Sequence, residues 1–478
     1  MSLGVPSSVA SAHRTIGQGG PLAIPLLFAL ALTLAYAVPF SAILWPFGDV
    51  YDVLLKADSL SWIETLIMAF REGVEYRPFF MLVVKMLYGT VGLHLWIYKL
   101  LVLLQFALIL GVVIAILRPT GTARTIAALL AVGCIAGLHT SRILFSFFPL
   151  NHHSLTMLLV LFAAALALNG SGRLVEWLLP VVTLTALFFI EFGLLIPPVL
   201  TVLWLVKARG TTWRGVAGSW VVLAFYLAVR FGIGIQEELG LAHAETGIGF
   251  EFMELHDIEE TFRHAPILFW GYNIVANVLQ VLIAEPRNGV YYFVRSLLRD
   301  NTGLTSWFHV LSSAVTTACI GWTLARRSLG PRDRQLVALG IALLVCGGGL
   351  GLLYSRDRIG LPVGLGYAIL LYVTVAQWLE RPSTHALARD ATAMLVVLLA
   401  AAWLVRDAEA WFQLRDTAWE RRVEWTARFE ELGGFKKPET ELLERLKAAL
   451  ISDSVDDPRR DPPWTFVLVE RRVKPYNE

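Results

Sequence analysis

Charge is scarce in this sequence. Asp, Glu, Lys and Arg make up 16% of its 478 residues, where soluble domains carry roughly a quarter. Hydrophobic residues reach 56%, the mean hydropathy is +0.61, and the apolar residues fall in runs of about 20. The shortfall in charge therefore excludes an ordinary soluble domain and points to a polytopic membrane protein. A net charge of +2 offers no basic balance for holding nucleic acid. Cysteine is scarce too. Cys134, Cys319 and Cys346 all lie in apolar runs, which suggests packing and neither a disulfide framework nor a metal set. There is no nucleotide-phosphate loop, no G-x-S-x-G, no H-E-x-x-H and no internal repeat.

Apolar runs and tryptophan are abundant. Spans are expected at about 22–45, 92–117, 123–140, 154–169, 174–190, 193–207, 215–231, 305–325, 335–354, 360–379 and 391–405. The first run, Pro21 to Trp45, is long for a signal peptide and has no clear small-residue cleavage site, so it reads as a retained anchor. Sixteen Trp suit two interfacial belts. A further apolar run, Pro266 to Ala284, carries Asn273, Asn277 and Gln280 and can be re-entrant, interfacial or spanning.

Basic residues set the orientation. With the N-terminus inside, Arg14, Arg118, Arg124, Arg173, Lys207, Arg209, Arg214, Arg326, Arg327, Arg332, Arg334, Arg381 and Arg389 fall on the cytoplasmic side, against only Asp333, Glu380 and Asp390. Residues 1–20 form a cytoplasmic tail and 21–405 the membrane domain. Two large extracytoplasmic segments follow from this, 46–91 with interfacial helices and 232–304. The tail 406–478 reads as a small extracytoplasmic domain with helices at about 407–432 and 438–450 and a strand-like run from Trp464 to Val469.

The stretch Phe47 to Phe80 is the organising feature, because it gathers charge between the first two apolar runs. Asp49 and Asp52 follow the first span. A carboxylate at the lip of a bundle can act as a general base, or simply as an interfacial charge or helix N-cap. Tyr76-Arg77-Pro78 precedes an interfacial amphipathic segment, Phe79 to Tyr88, that holds Lys85. Arg77 lies outside against the orientation bias, where it can grip phosphate with its fork or pair with Glu72 or Glu75. Arg142 and Pro149 to His153 occupy the next outer loop. Adjacent histidines on a helix point about 100° apart, so hydrogen bonding to a phosphate or sugar hydroxyl is favoured over metal. Glu191 stands between two apolar runs, as a functional carboxylate or as a wetted turn residue. Arg356 and Arg358 flank Asp357 before a Gly/Pro-rich start to the next run, a pattern that fits either a lipid-phosphate clamp or a local ionic network. The acidic stretch Glu237 to Glu260 reads as a solvated loop.

In this order, the pieces resemble the GT-C superfamily of membrane glycosyltransferases, closest to the membrane half of the tetratricopeptide-carrying protein O-mannosyltransferases and their bacterial relatives. Asp49 and Asp52 match the acidic pair after the first span, and Tyr76-Arg77-Pro78 the family's Y-R-P-L. Pro149 to His153 match a Pro/His element, and Glu191-Phe192-Gly193 with Pro197 the K-E-x-G. Arg358-Ile359-Gly360-Leu361-Pro362 with Gly364 matches the E-R-x-L-Y-L-P-S-x-G. The chain departs from the pattern in separating the acidic pair, in Ile190 and Val363, and in lacking a tetratricopeptide array.

The resemblance implies an all-α, GT-C-like bundle of about eleven spans, in the range 10–13, in the inner membrane. It further implies inverting transfer of a sugar from a polyprenyl-phosphate carrier to an extracytoplasmic glycan, lipid or protein acceptor. Asp49 would be the base and Asp52 its support or alternate. Tyr76, Arg77, Arg356 and Arg358 would hold the donor phosphate, and Asp58, Arg142, His152, His153 and Glu191 the sugar or acceptor. No cofactor is expected. The alternatives are a transporter or flippase of lipid-linked sugars, or a glycan ligase or polymerase using a diphosphate-linked donor.

Overall fold

The computed structural model describes residues 20–41, 57, 60–71, 77–92, 94–145, 151–232, 247–248, 251–252, 266–283, 289–299, 302–352, 354–355, 357–380 and 385–431. Asp49, Asp52, Asp58, Tyr76 and Arg356 lie outside the described residues, and of Arg358 the backbone alone is described.

Apart from connecting turns and three two-residue strands, the described chain is helical. β1 (Gly247–Ile248) pairs antiparallel with β2 (Glu251–Phe252) and parallel with β3 (Tyr354–Ser355). Each apolar run predicted from the sequence is occupied by a helix. In chain order these are α1 (Gly20–Ser41), α4 (Leu95–Leu117), α5 (Gly121–Gly137), α6 (His152–Asn169), α7 (Arg173–Phe189), α8 (Ile196–Leu205) and α9 (Trp213–Gly232), then α12 (Leu304–Arg326), α13 (Pro331–Gly349), α14 (Leu361–Glu380) and α15 (Ala386–Glu431). Between them lie α2 (Trp62–Arg71), α3 (Pro78–Val91), α10 (Pro266–Leu282) and α11 (Gly289–Leu298). Six helices, α1, α4, α6, α12, α14 and α15, are long and apolar enough to cross a membrane. A seventh crossing is possible if α5 counts together with the 3-10 turn His139–Phe145, which is bent from it by 75°. The chain is a multi-pass membrane protein.

α14 is the axis of the bundle: Leu361 to Trp378 are all buried. Its neighbours approach it through glycine. A Cβ on Gly366 would lie 2.5 Å from the Gly340 carbonyl of α13, and one on Gly340 would meet Leu370 at 2.8 Å. With no water to expel between helices in lipid, close backbone approach of this kind supplies the packing attraction. The outer helices expose leucine instead. Leu27 and Leu34 of α1 are 64% and 60% exposed, as a lipid-facing surface requires.

One end of the bundle is tied by charge. Arg124 in the first turn of α5 donates to both carboxylate oxygens of Asp333 at 2.9 and 3.2 Å, and to Glu380 at 2.6 and 3.0 Å. Gln377 donates to Asp333 at 2.6 Å. Arg332 reaches the C-termini of α4 and α6, donating to the Ile116 carbonyl at 2.6 Å and the Asn169 side chain at 2.9 Å. Helix ends leave carbonyls without intrahelical partners, and an arginine here satisfies two helices at once. These are residues that the charge bias assigns to the cytoplasm. The helix directions then place the starts of α6 and α14, the 139–145 turn and the end of α9 at the opposite end.

α2 opens on a capping box. Ser61 N donates to Glu64 Oε2 at 2.7 Å, and Glu64 N donates to Ser61 Oγ at 3.2 Å. Trp62, Ile63, Leu66 and Ile67 stay exposed, an apolar face that suits the membrane interface. α3 packs against α2 and α7. Its Lys85 donates to the carbonyls of Ala57 and Leu60, and Lys99 of α4 donates to the Ser41 carbonyl at 3.0 Å. The chain on both sides of the predicted acidic stretch is thus fastened by lysine.

The ambiguous run 266–284 is helix α10, packed against α13 and α14. Asn273, Asn277 and Gln280 recur on one face at helical spacing and are buried. Asn273 donates to the Leu352 carbonyl at 3.3 Å, Asn277 to the Gly347 carbonyl at 3.2 Å, and Gln280 to Asn277 Oδ1 at 2.6 Å. The amides face protein while Ile267, Leu268 and Val275 face outward.

The C-terminal region differs from the sequence reading. The break placed near 405 does not exist: α15 runs 46 residues without interruption. Arg406 and Asp407 are buried between helices and do not begin a solvated tail. Arg406 donates to Ser313 Oγ at 2.8 Å and lies 4.3 Å from the Trp403 ring centroid. Tyr36 donates to the Asp407 carbonyl at 3.1 Å, and the Asp407 carboxylate fits against Gly133 and Gly137 of α5. The segments expected at 438–450 and 464–469 lie outside the described residues.

Candidate functional site

Four chain segments supply a polar cluster at the end opposite the Arg124 network. α3 begins there, with Arg77 at its N-cap and Pro78 in its first turn, where a missing N–H costs nothing. α6 begins there as well. Asn151 caps it by accepting from Ser154 N at 3.1 Å, and its amide donates to the Ile143 carbonyl at 2.6 Å. One side chain thereby fixes both the start of α6 and the 139–145 turn that carries Arg142. The third segment is the 3-10 turn Glu191–Leu195 between α7 and α8. It folds back so closely that a Cβ on Gly193 would lie 2.5 Å from Leu187 N, a contact only glycine permits. Pro197 sits in the first turn of α8. The fourth is the end of α9, with Tyr226 and Arg230 one turn apart.

The side chains meet across these segments. Arg77 Nη1 lies 3.5 Å from His152 Nε2 and Arg77 Nη2 lies 3.9 Å from Glu191 Oε2. Arg230 Nη1 donates to the other Glu191 oxygen at 3.0 Å and to Tyr226 Oη at 2.8 Å. The His152 ring packs between Phe80 at 4.6 Å and His153 at 4.2 Å, and His153 meets Phe192 edge-on at 5.3 Å. Burial pushes the Glu191 carboxyl up, but the charges of Arg77 and Arg230 outweigh it and hold the group below its ordinary value. Glu191 is therefore an anion at neutral pH, clasped by two cations.

The Gly/Pro-rich start of α14 comes close to the 139–145 turn. A Cβ on Gly360 would meet Gln280 Nε2 at 2.3 Å and Thr140 Cγ2 at 2.7 Å, and one on Gly364 would meet Thr140 Oγ1 at 2.7 Å. The glycines of the Ile359–Gly364 stretch are there for this approach, which brings the backbone of Arg358 beside the turn holding Arg142. Of the residues singled out from sequence, the structure joins Arg77, His152, His153 and Glu191 directly. It links Arg142 and the Arg358 backbone through neighbouring turns. Among the described residues no three His, Cys, Asp or Glu side chains group to hold a metal ion.

Sequence reasoning missed Arg230 and Tyr226. The signal was present: Arg230 is an arginine at the end of an apolar run that the charge bias assigns to the outside, the same exception that singled out Arg77. It was hidden because the run continues past it. No family model, curated protein or solved structure matches the chain.

Proposed function

We propose that this chain is a GT-C-type glycosyltransferase of the inner membrane, with about eleven spans and its site on the extracytoplasmic face. It moves a sugar from a polyprenyl-phosphate carrier to an acceptor hydroxyl. What supports the reading is the gathering of Arg77, His152, His153, Glu191 and Arg230 at one end of the bundle, the end to which Ser41 and Ala57 tie the chain on either side of Asp49 and Asp52. In the proposed reaction an acceptor oxygen attacks the anomeric carbon from the face opposite the phosphate, and the carbon–oxygen bond to the phosphate breaks. The acceptor proton passes to Asp49, while Arg77 stabilises the charge that grows on the leaving phosphate.

The purified chain, supplied with sugars on polyprenyl monophosphate and a panel of hydroxyl acceptors, is expected to release polyprenyl monophosphate in step with glycosylated product. Consumption of a diphosphate-linked oligosaccharide instead would make it a ligase or polymerase. Movement of intact lipid-linked sugar across vesicles without bond cleavage would make it a transporter. Either result rejects the proposal.

A further inference from the structure

The pairing of Glu191 has an unusual balance. Two guanidinium groups clasp one carboxylate, one on each oxygen, and helices α3 and α6 both begin at residues of the cluster, adding the partial positive charge of their N-termini. The carboxylate thus cancels only part of the positive charge gathered there. The two contacts are also unequal. Arg230 is held at hydrogen-bond distance and braced by Tyr226, which itself packs edge-on against Phe188 at 5.5 Å. Arg77 is only within ionic reach, and its Nε is buried with no hydrogen-bond partner among the described residues. The site is reachable, since the side chains of Arg77, Arg230 and Glu191 keep 22%, 18% and 30% of their exposure.

We propose that Glu191 is the built-in counter-ion of an anion site formed by Arg77 and Arg230, and that a phosphate monoester displaces it and takes both guanidinium groups. This rests on reading this end of the bundle as the donor site, adds Arg230 to it, and changes the role of Glu191 from a sugar contact to an occupant. A phosphate carries three acceptor oxygens and up to two charges, so it can satisfy both forks where one carboxylate leaves Arg77 at 3.9 Å. The displaced Glu191, already part exposed, turns to water. When phosphate leaves, the carboxylate returns and keeps two cations from facing one another unpaired, so the empty site stays folded and product release is assisted.

The test uses the full chain in maltoside micelles, which bring no phosphate of their own, titrated with inorganic phosphate and separately with farnesyl phosphate, and with no sugar donor present. Glu191→Gln is expected to tighten phosphate binding about tenfold by removing the competitor, and Arg230→Lys to weaken it about tenfold by removing the fork while keeping the charge that pairs Glu191. Farnesyl phosphate binding tighter than inorganic phosphate, with the same response to the variants, identifies a lipid headgroup as the natural source; equal affinities identify a free phosphate. Glu191→Gln with unchanged or weaker phosphate affinity overturns the proposal. If that variant does not fold, Arg230→Lys decides: wild-type affinity there overturns it equally. Because binding is read without a donor, absence of glycosyl transfer would sink the enzyme reading and leave this site standing. Transfer by a protein whose phosphate affinity ignores both variants would do the reverse.

Discussion

Asp49→Asn is expected to lower sugar transfer by a factor of about 10² to 10⁴, the usual worth of a positioned general base, while the protein remains folded in the membrane. Asparagine keeps the shape and one acceptor oxygen of the aspartate but cannot take a proton from an attacking hydroxyl. Asp49 lies outside the described residues, while residues on both sides of it in sequence are described. The chain before it ends α1 at Ser41, whose carbonyl accepts from Lys99. The chain after it passes Ala57 and Leu60, whose carbonyls accept from Lys85. Lys85 belongs to α3, whose N-cap is Arg77. Ala57 and Leu60, which follow the acidic stretch in sequence, are thereby tethered through one short helix to the arginine proposed to meet the leaving phosphate. Turnover should be measured beside the yield of monodisperse protein, so that lost chemistry is not confused with lost folding. Asp52→Asn should reduce turnover less. If Asp52→Asn is the damaging change instead, the base is Asp52. Wild-type turnover in both variants removes these acids from the mechanism.

Much of the scaffold was legible because a membrane makes sequence unusually explicit. Apolar runs mark helices, since only self-satisfied backbone survives in hydrocarbon, and six of the expected spans carry helices long and apolar enough to cross a membrane. Loop charge put Arg124, Arg332, Asp333 and Glu380 on one common side, and these residues do gather at one end of the bundle. What sequence could not give was pairing. Nothing in the run around Arg230 announces Glu191 as its partner 39 positions away, and nothing around Asn277 says that its amide bonds the Gly347 carbonyl. The misplaced end of the last apolar run has the same origin. Arg406 looks like the first residue beyond the membrane, because a charge is costly in oil. Ser312 and Ser313 on α12 and the Trp403 ring offset part of that cost, and the helix continues. The glycines were visible as letters, but their purpose at 193, 360 and 366 emerges only when the opposing backbone is in place.

Arg124→Met is expected to be the most destabilising single change at the Arg124 end of the bundle, costing about 3–5 kcal/mol, the range for removing one partner of a buried ion pair. The reason is asymmetry. Asp333 keeps only 4% of its side-chain exposure and takes both of its ionic contacts from Arg124. Methionine fills a similar length but leaves that carboxylate with Gln377 alone, and leaves Glu380 without its partner as well. Asp333→Asn should cost less, because Arg124 keeps Glu380 at 2.6 Å and the asparagine oxygen can still accept from Gln377. The double variant should therefore be more stable than Arg124→Met alone, since the stranded charge is gone. Unfolding of the purified protein by heat or by graded denaturing detergent, read for all three variants, closes the cycle. A loss of no more than about 0.5 kcal/mol for Arg124→Met, the level of an ordinary surface change, would mean that glycine-mediated packing of α13 on α14 holds this end without the network. The ordering of the three variants is the sharper readout, because packing alone gives no reason for the double change to recover stability.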